Sequence, residues 1–202
     1  MNFRFEDKLK LDKNKIFEFK DWLTKNRFRE IYKPREILSI YFDTKYNQTY
    51  HDSNEGIVPR SKLRLRTYNF KSLKKNKFNI EIKKSINHGR LKSTKILNNF
   101  EKSLKLGIFL KNYGFCYPKI IIKYNRSYYK YKNIRLTLDK NIKFENFTKS
   151  LNNSMVSKTS DLIVAEIKYS SGGDSIELFH KLPFEKTRFS KYCIGLETLN
   201  LV

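Results

Sequence analysis

The stretch SKLRLRTY, residues 61–68, decides the fold. Read with the two-residue period of a strand, it puts Lys62, Arg64 and Arg66 on one side and Leu63 and Leu65 on the other. A half-buried strand normally turns its polar side to water. Whether this charged side meets water or lines an interior separates two architectures.

The same alternation recurs in FRFEDKLKL (3–11), ILSIYFDT (37–44), FNIEIKKS (78–85), KIIIKYNRSYY (119–129), IRLTLDKNIKF (134–144) and LIVAEIKYS (162–170). Each is rich in β-branched and aromatic residues and bounded by Asn, Gly, Pro, Ser or Lys clusters. Three stretches predict helices. Over 13–26, Ile16, Phe19 or Lys20, and Leu23 form a stripe behind an Asp12 cap. Over 100–114, Leu104, Ile108 and Phe109 have helical spacing and Gly114 ends the run. A third runs over 174–182, from an Asp174 cap to the residue before Pro183. The sum is an antiparallel α+β protein with seven or eight strands. No repeat or Pro/Gly/Ser-rich linker interrupts the chain, so a single domain over 1–202 is expected.

Net charge is +23, from 43 basic and 20 acidic residues, which predicts a polyanionic partner. Abundant Asn, Ile and Lys also fit simple compositional drift, so the eleven arginines carry more information than the lysines. Two cysteines, Cys116 and Cys193, show no metal-ligand spacing, and a reducing compartment is the default. No apolar run approaches the ~20 residues of a membrane-spanning helix. The N-terminal MNFRFEDKLKL lacks a signal peptide's apolar centre, so a cytoplasmic protein is expected, with attachment to a membrane protein left open.

The polar sides of the strands repeat a theme. Glu6, Lys8 and Lys10 oppose Phe5, Leu9 and Leu11; Glu81 and Lys83 oppose Ile80 and Ile82; Arg135, Thr137 and Asp139 oppose Leu136 and Leu138; Glu166 and Lys168 oppose Ala165 and Ile167. Tyr124 and Arg126 share a side with Ile120 and Ile122. In one architecture the apolar sides form a sandwich core and the charges face water, which pattern alone favours. In the other the sheet closes around a polar interior, where unpaired charge is costly unless a ligand meets it.

Taken in order, FEDKLKL (5–11), SIYFDT (39–44), KLRLR (62–66), IEIKKS (80–85), IKYNRSYY (122–129), RLTLD (135–139), VAEIKY (164–169) and RFSKYCIGLE (188–197) resemble the VTC domain in its stand-alone prokaryotic form. That is the polyphosphate polymerase domain of the triphosphate tunnel metalloenzymes, related to CYTH proteins. The resemblance spans nearly the whole chain and rests most on SIYFDT and FSKYCIGL. It implies an antiparallel eight-stranded tunnel with flanking helices and inward charges, the second architecture. It also implies transfer of the terminal phosphate of ATP to a growing polyphosphate chain, with Mn²⁺ or Mg²⁺. Such a transfer asks the protein for positioning and charge stabilisation.

The implied phosphate ligands are Lys8, Arg64, Arg66, Lys83, Tyr124, Arg126, Arg135, Lys168, Ser190 and Lys191, with Lys8, Arg64, Arg66, Lys83, Arg126 and Lys191 nearest the chemistry. Arg64 and Arg66 suit forked contacts to phosphate oxygens. Taken singly, Lys8 or Lys83 is an ordinary solvated lysine, and Tyr124 an ordinary packed aromatic. Glu166 is the implied metal ligand, with Glu6 beside it; Glu81 and Asp139 suit pairing with arginine better than ligation. Arg90, Lys92 and Lys95 match no motif position with certainty, and His51, His88 and His180 match none. No G-x-x-x-x-G-K-[ST] loop occurs, which argues against a P-loop kinase. Two other readings stay open: a triphosphatase of the same fold, and a non-catalytic polyanion binder, although no specific nucleic-acid recognition is expected.

Overall fold

The computed structural model describes residues 4–71, 77–87, 89–97, 99–148, 156–170 and 182–202. The helix expected over 174–182 falls almost wholly outside them, and His88 and His180 are outside as well. In chain order the strands are β1 (Arg4–Leu11), β2 (Arg29–Asp43), β3 (Arg60–Tyr68), β4 (Phe78–Ile86), β5 (Gly89–Leu97), β6 (Ile108–Leu110), β7 (Gly114–Tyr131), β8 (Ile134–Asn146), β9 (Ser157–Ser160) and β10 (Ile163–Ser170). The helices are α1 (Ile16–Lys25), α2 (Gln48–Glu55), α3 (Phe100–Leu106) and α4 (Lys191–Thr198).

Eight strands follow the hydrogen-bonded order β1-β10-β8-β7-β2-β3-β4-β5, with β6 on β7 and β9 on β8. Every pairing whose register is resolved is antiparallel. The antiparallel α+β expectation holds. The chain forms two compact units: Met1–Glu36, Tyr124–Ile142 and Thr159–Phe189 make the first, and Ile37–Lys123, Lys143–Lys158 and Ser190–Val202 the second.

In the first unit, α1 and three strands share one core. Phe19, Trp22 and Leu23, spaced three and one apart, turn one helix face onto Leu9, Leu11, Leu136, Leu138, Ala165 and Ile167. The expected Asp12 cap is corrected in kind. The Asp12 side chain makes no capping bond; its carbonyl accepts from the Lys15 N–H at 3.0 Å and closes a 3-10 turn over Lys13–Lys15. Register then sets the charged side. Lys8 lies opposite Glu166, which lies opposite Thr137; Glu6 lies opposite Lys168, which lies opposite Arg135.

In the second unit, Leu63 and Leu65 are fully buried with Leu38, Ile40, Phe42, Phe78, Leu110, Cys116 and Ile121. The leucine side of the opening stretch is therefore core. The helix expected through Gly114 is corrected. It stops at Leu106, and Ile108–Leu110 is a strand paired with residues 114–116. Gly107 makes the break: its φ is 77°, and a Cβ there would lie 2.7 Å from the Cys116 carbonyl oxygen. The basic stretch over 89–97 is the strand β5, and SKYCIGLET holds α4, whose cap is the Ser190 hydroxyl accepting from the Cys193 N–H at 3.3 Å.

Candidate functional site

In the second unit the arginines of β3 converge on one carboxylate. Arg64 donates from Nε to Glu81 Oε2 at 2.8 Å, and its Nη2 lies 2.6 Å from the same oxygen. Arg66, only 5% exposed, approaches that oxygen at 3.7 Å and donates from Nε to Ser39 Oγ at 3.1 Å. Lys92 donates to Glu81 Oε1 at 2.8 Å. Burial pushes the Glu81 carboxyl up, but Arg64 and Arg66, together with hydrogen bonds from Lys92 and Arg64, outweigh it and hold it at about 2. Three cations on one carboxylate leave an excess of positive charge, which is what an anion site needs.

Neighbouring positions add to that excess. Lys62, Lys83 and Lys92 occupy facing register positions across β3, β4 and β5. Like charges placed opposite one another repel, so this row favours a bound anion. Lys62 reaches the start of α4, donating to Ser190 Oγ at 2.8 Å, with Cys193 Sγ at 3.8 Å. The helix start that carries Ser190 and Lys191 is thereby joined to the lysine next to the arginines. Arg90 pairs with Ser85 and Lys95 with Ile80. Lys92 and Arg90 thus share the charged parity, whereas Lys95 has the opposite one.

Two groups here escaped the sequence reading. Tyr41 lies opposite Arg64 in register, and its hydroxyl accepts from Arg64 Nη1 at 2.7 Å. Asp43, fully buried, accepts from the N–H groups of Thr44 (2.7 Å), Thr49 (2.8 Å) and Tyr50 (3.0 Å) and from the Tyr192 hydroxyl (2.5 Å). This carboxylate ties β2 to α2 and to the first turn of α4. The SIYFDT signature contained both residues, but only their contacts assign the work.

In the first unit the charged side is more evenly balanced. Arg126 makes a forked bond to the fully buried Asp139, Nε to Oδ1 at 2.6 Å and Nη2 to Oδ2 at 2.7 Å, and lies over the Tyr124 ring at 5.4 Å. Lys168 Nζ bridges Glu166 Oε1 at 2.8 Å and Glu6 Oε2 at 3.7 Å, while Lys8 Nζ is 3.8 Å from Glu6 Oε1. Lys8 also donates to the carbonyl of Phe189, the first residue of the F-S-K-Y motif, at 2.7 Å. Burial raises the Glu166 carboxyl, but Lys168, Arg126 and Lys8 and a hydrogen bond from Lys168 draw it far below the usual range. Arg135 is exposed and lies opposite Lys168.

The donors fit a hard divalent cation as a partial set. Among the described residues no group of three or more His, Cys, Asp or Glu side chains is gathered. Asp139 and Glu81 are taken up by guanidinium groups. Glu6 and Glu166 remain as two carboxylates on neighbouring strands, sharing one ammonium. Magnesium commonly takes one or two carboxylates and completes its shell with phosphate oxygens and water, so this pair is sufficient. Among the described residues no helix is long and apolar enough to cross a membrane.

A family model described as the VTC domain matches residues 3–107 and 98–200. No curated protein matches the sequence. Among solved structures, a protein from Vibrio parahaemolyticus, provisionally described as an adenylate cyclase, is similar, with a TM-score of 0.53 and 14% identity over 96% of this chain and 98% of that one. A conserved hypothetical protein from Pyrococcus furiosus gives 0.53 and 14% over 95% and 99%. A Hippeastrum protein, provisionally described as an adenylyl cyclase and reported to have a dominant triphosphatase activity, gives 0.52 and 15% over 98% and 96%.

Proposed function

This chain belongs to the VTC domain family of the triphosphate tunnel superfamily, and on that premise we propose that it is a metal-dependent ATP–polyphosphate phosphotransferase. It would move the terminal phosphate of ATP to a growing polyphosphate chain. The observation that carries the reading is the excess of cations about Glu81, three on one carboxylate, with Lys62, Lys83 and Lys191 in the same unit. In this reading Arg64, Arg66, Lys83, Ser190 and Lys191 hold phosphate oxygens in the second unit. Lys8, Tyr124, Arg126, Arg135 and Lys168 do so in the first. Glu166 and Glu6 hold Mn²⁺ or Mg²⁺, which when bound neutralises phosphate charge and orients the transferring group.

The residues' own part in the chemistry is electrostatic. Guanidinium groups already fixed by Glu81 and Asp139 need little reorganisation as charge shifts onto the departing ADP. A guanidinium keeps its charge at any working pH, so arginine suits a phosphate site without itself gaining or losing a proton. A second reading, a triphosphatase of the same fold, is favoured by the activity reported for the similar Hippeastrum protein. Incubation with radiolabelled ATP and Mn²⁺, followed by gel electrophoresis, separates the two. A ladder of long chains supports the polymerase; labelled orthophosphate without chains rejects it in favour of the triphosphatase.

A further inference from the structure

The phenol of Tyr41 has a setting that no tyrosine needs for packing alone. It is buried on β2, two residues before the carboxylate that anchors α4. Its ring stacks on Tyr192, with centroids 5.1 Å apart and planes inclined by 15°. Its oxygen accepts from Arg64 Nη1 at 2.7 Å, on the side of the guanidinium not used by Glu81. Arg64 is therefore fixed from two directions, by a carboxylate on β4 and a phenol on β2. Because the phenol oxygen is an acceptor toward Arg64, its own proton is available for donation elsewhere.

We propose that Tyr41 is a positioning residue for phosphate capture, acting through Arg64 and binding best as the neutral phenol. The proposal rests on the reading of Arg64 as a phosphate ligand. The charged and titratable groups bearing on Tyr41 are Arg64, Arg66 and Lys62 on β3, Lys191 on α4, and the Tyr192 phenol stacked upon it. Burial pushes the Tyr41 phenol up, but Arg64 and Arg66, the hydrogen bond from Arg64, and Lys191 outweigh it and bring it down to about 8. Among the described residues, burial and neighbouring groups instead raise Tyr50, Tyr113, Tyr129, Tyr169 and Tyr192.

The sign follows directly. Above about pH 8 Tyr41 becomes a phenolate, which neutralises part of the cationic cluster and repels phosphate. Anion affinity then falls as pH rises through that value. By linkage, a bound polyanion raises the pH at which Tyr41 ionises. Lys62, drawn below the ordinary lysine range by burial, also loses charge on the alkaline side, so a binding curve alone does not separate the two. Phenolate absorbance in the near ultraviolet reports tyrosine only.

The test uses the full chain, inorganic tripolyphosphate as probe and no metal. Wild-type protein is titrated from neutral to alkaline pH with and without the probe, and Kd is measured for wild type, Tyr41→Phe and Arg64→Ala. We expect a phenolate step near pH 8 that moves upward with tripolyphosphate and is missing in Tyr41→Phe. That variant should bind about threefold to tenfold more weakly at pH 7, the effect of one hydrogen bond. In turnover its KM should rise while kcat stays within about twofold, since ground-state and transition-state contacts are lost together. A step near pH 8 that persists in Tyr41→Phe, or that tripolyphosphate leaves in place, overturns the proposal. The second of these outcomes is read on wild-type protein and does not depend on how the variant folds. Unchanged affinity in Arg64→Ala overturns the phosphate reading itself; weakened affinity there beside wild-type affinity in Tyr41→Phe overturns the Tyr41 role alone.

Discussion

Replacing Glu81 with Gln separates what this cluster does for stability from what it does for binding. The Glu81 carboxyl is 5% exposed and held at about 2, against an ordinary value of 4.5. At about 1.4 kcal/mol for each tenfold change in proton affinity, ionised Glu81 contributes about 3 kcal/mol at pH 7. The folded value is the lower one, so this stabilisation is complete above pH 4.5 and is lost as pH falls through 2. Glu81→Gln should therefore cost about 3 kcal/mol at pH 7, because it takes away the carboxylate that Arg64, Arg66 and Lys92 share. At pH 3.5 the gap between wild type and variant should narrow by about 1.4 kcal/mol, because Glu81 is by then largely protonated in the unfolded chain while it stays ionised in the fold. Urea unfolding at the two pH values measures both quantities. The variant should bind tripolyphosphate more tightly than wild type, since one negative charge has left the cluster. A gap that does not change with pH, or an affinity that falls, would refute the reasoning.

Glu166→Gln should lower metal-dependent turnover about a hundredfold or more while leaving metal-free tripolyphosphate binding intact or stronger, as isothermal calorimetry would show. Asp43→Asn places a donor among four donors and should cost about 1–3 kcal/mol in unfolding free energy. It should also raise KM more than it lowers kcat, because Ser190 and Lys191 begin the helix that Asp43 anchors. Gly195→Ala would bring a Cβ to 2.7 Å from both Ile120 Cδ1 and Phe144 Cδ1, side chains that are fully buried. A loss of about 1–3 kcal/mol is expected from such overpacking, read as a lower denaturant midpoint.

Period two was enough to place Leu63 and Leu65 together and Arg64 and Arg66 together, and the alternating segments gave the antiparallel α+β class. The leucines do form core. Periodicity misread 108–114 because a short apolar run fits helix and strand alike, and a carbonyl 2.7 Å from the Gly107 Cβ position is a tertiary fact. The Asp12 cap failed for a related reason: the residue type allows a side-chain bond, but the backbone closed the turn first. Strand β5 stayed hidden because its burial pattern is exposed on both sides almost throughout, with no alternation to read. Tyr41 and Asp43 lay in plain view inside SIYFDT. Their partners, Arg64 and Tyr192, are 23 and 149 residues away, a separation that no local pattern spans.

The central claim is that these cationic side chains hold a triphosphate. A structure of the protein with a non-hydrolysable ATP analogue and Mn²⁺ tests it most directly. The account predicts phosphate oxygens within hydrogen-bond reach of Arg64 and Arg66. A triphosphate seated away from both arginines would contradict it.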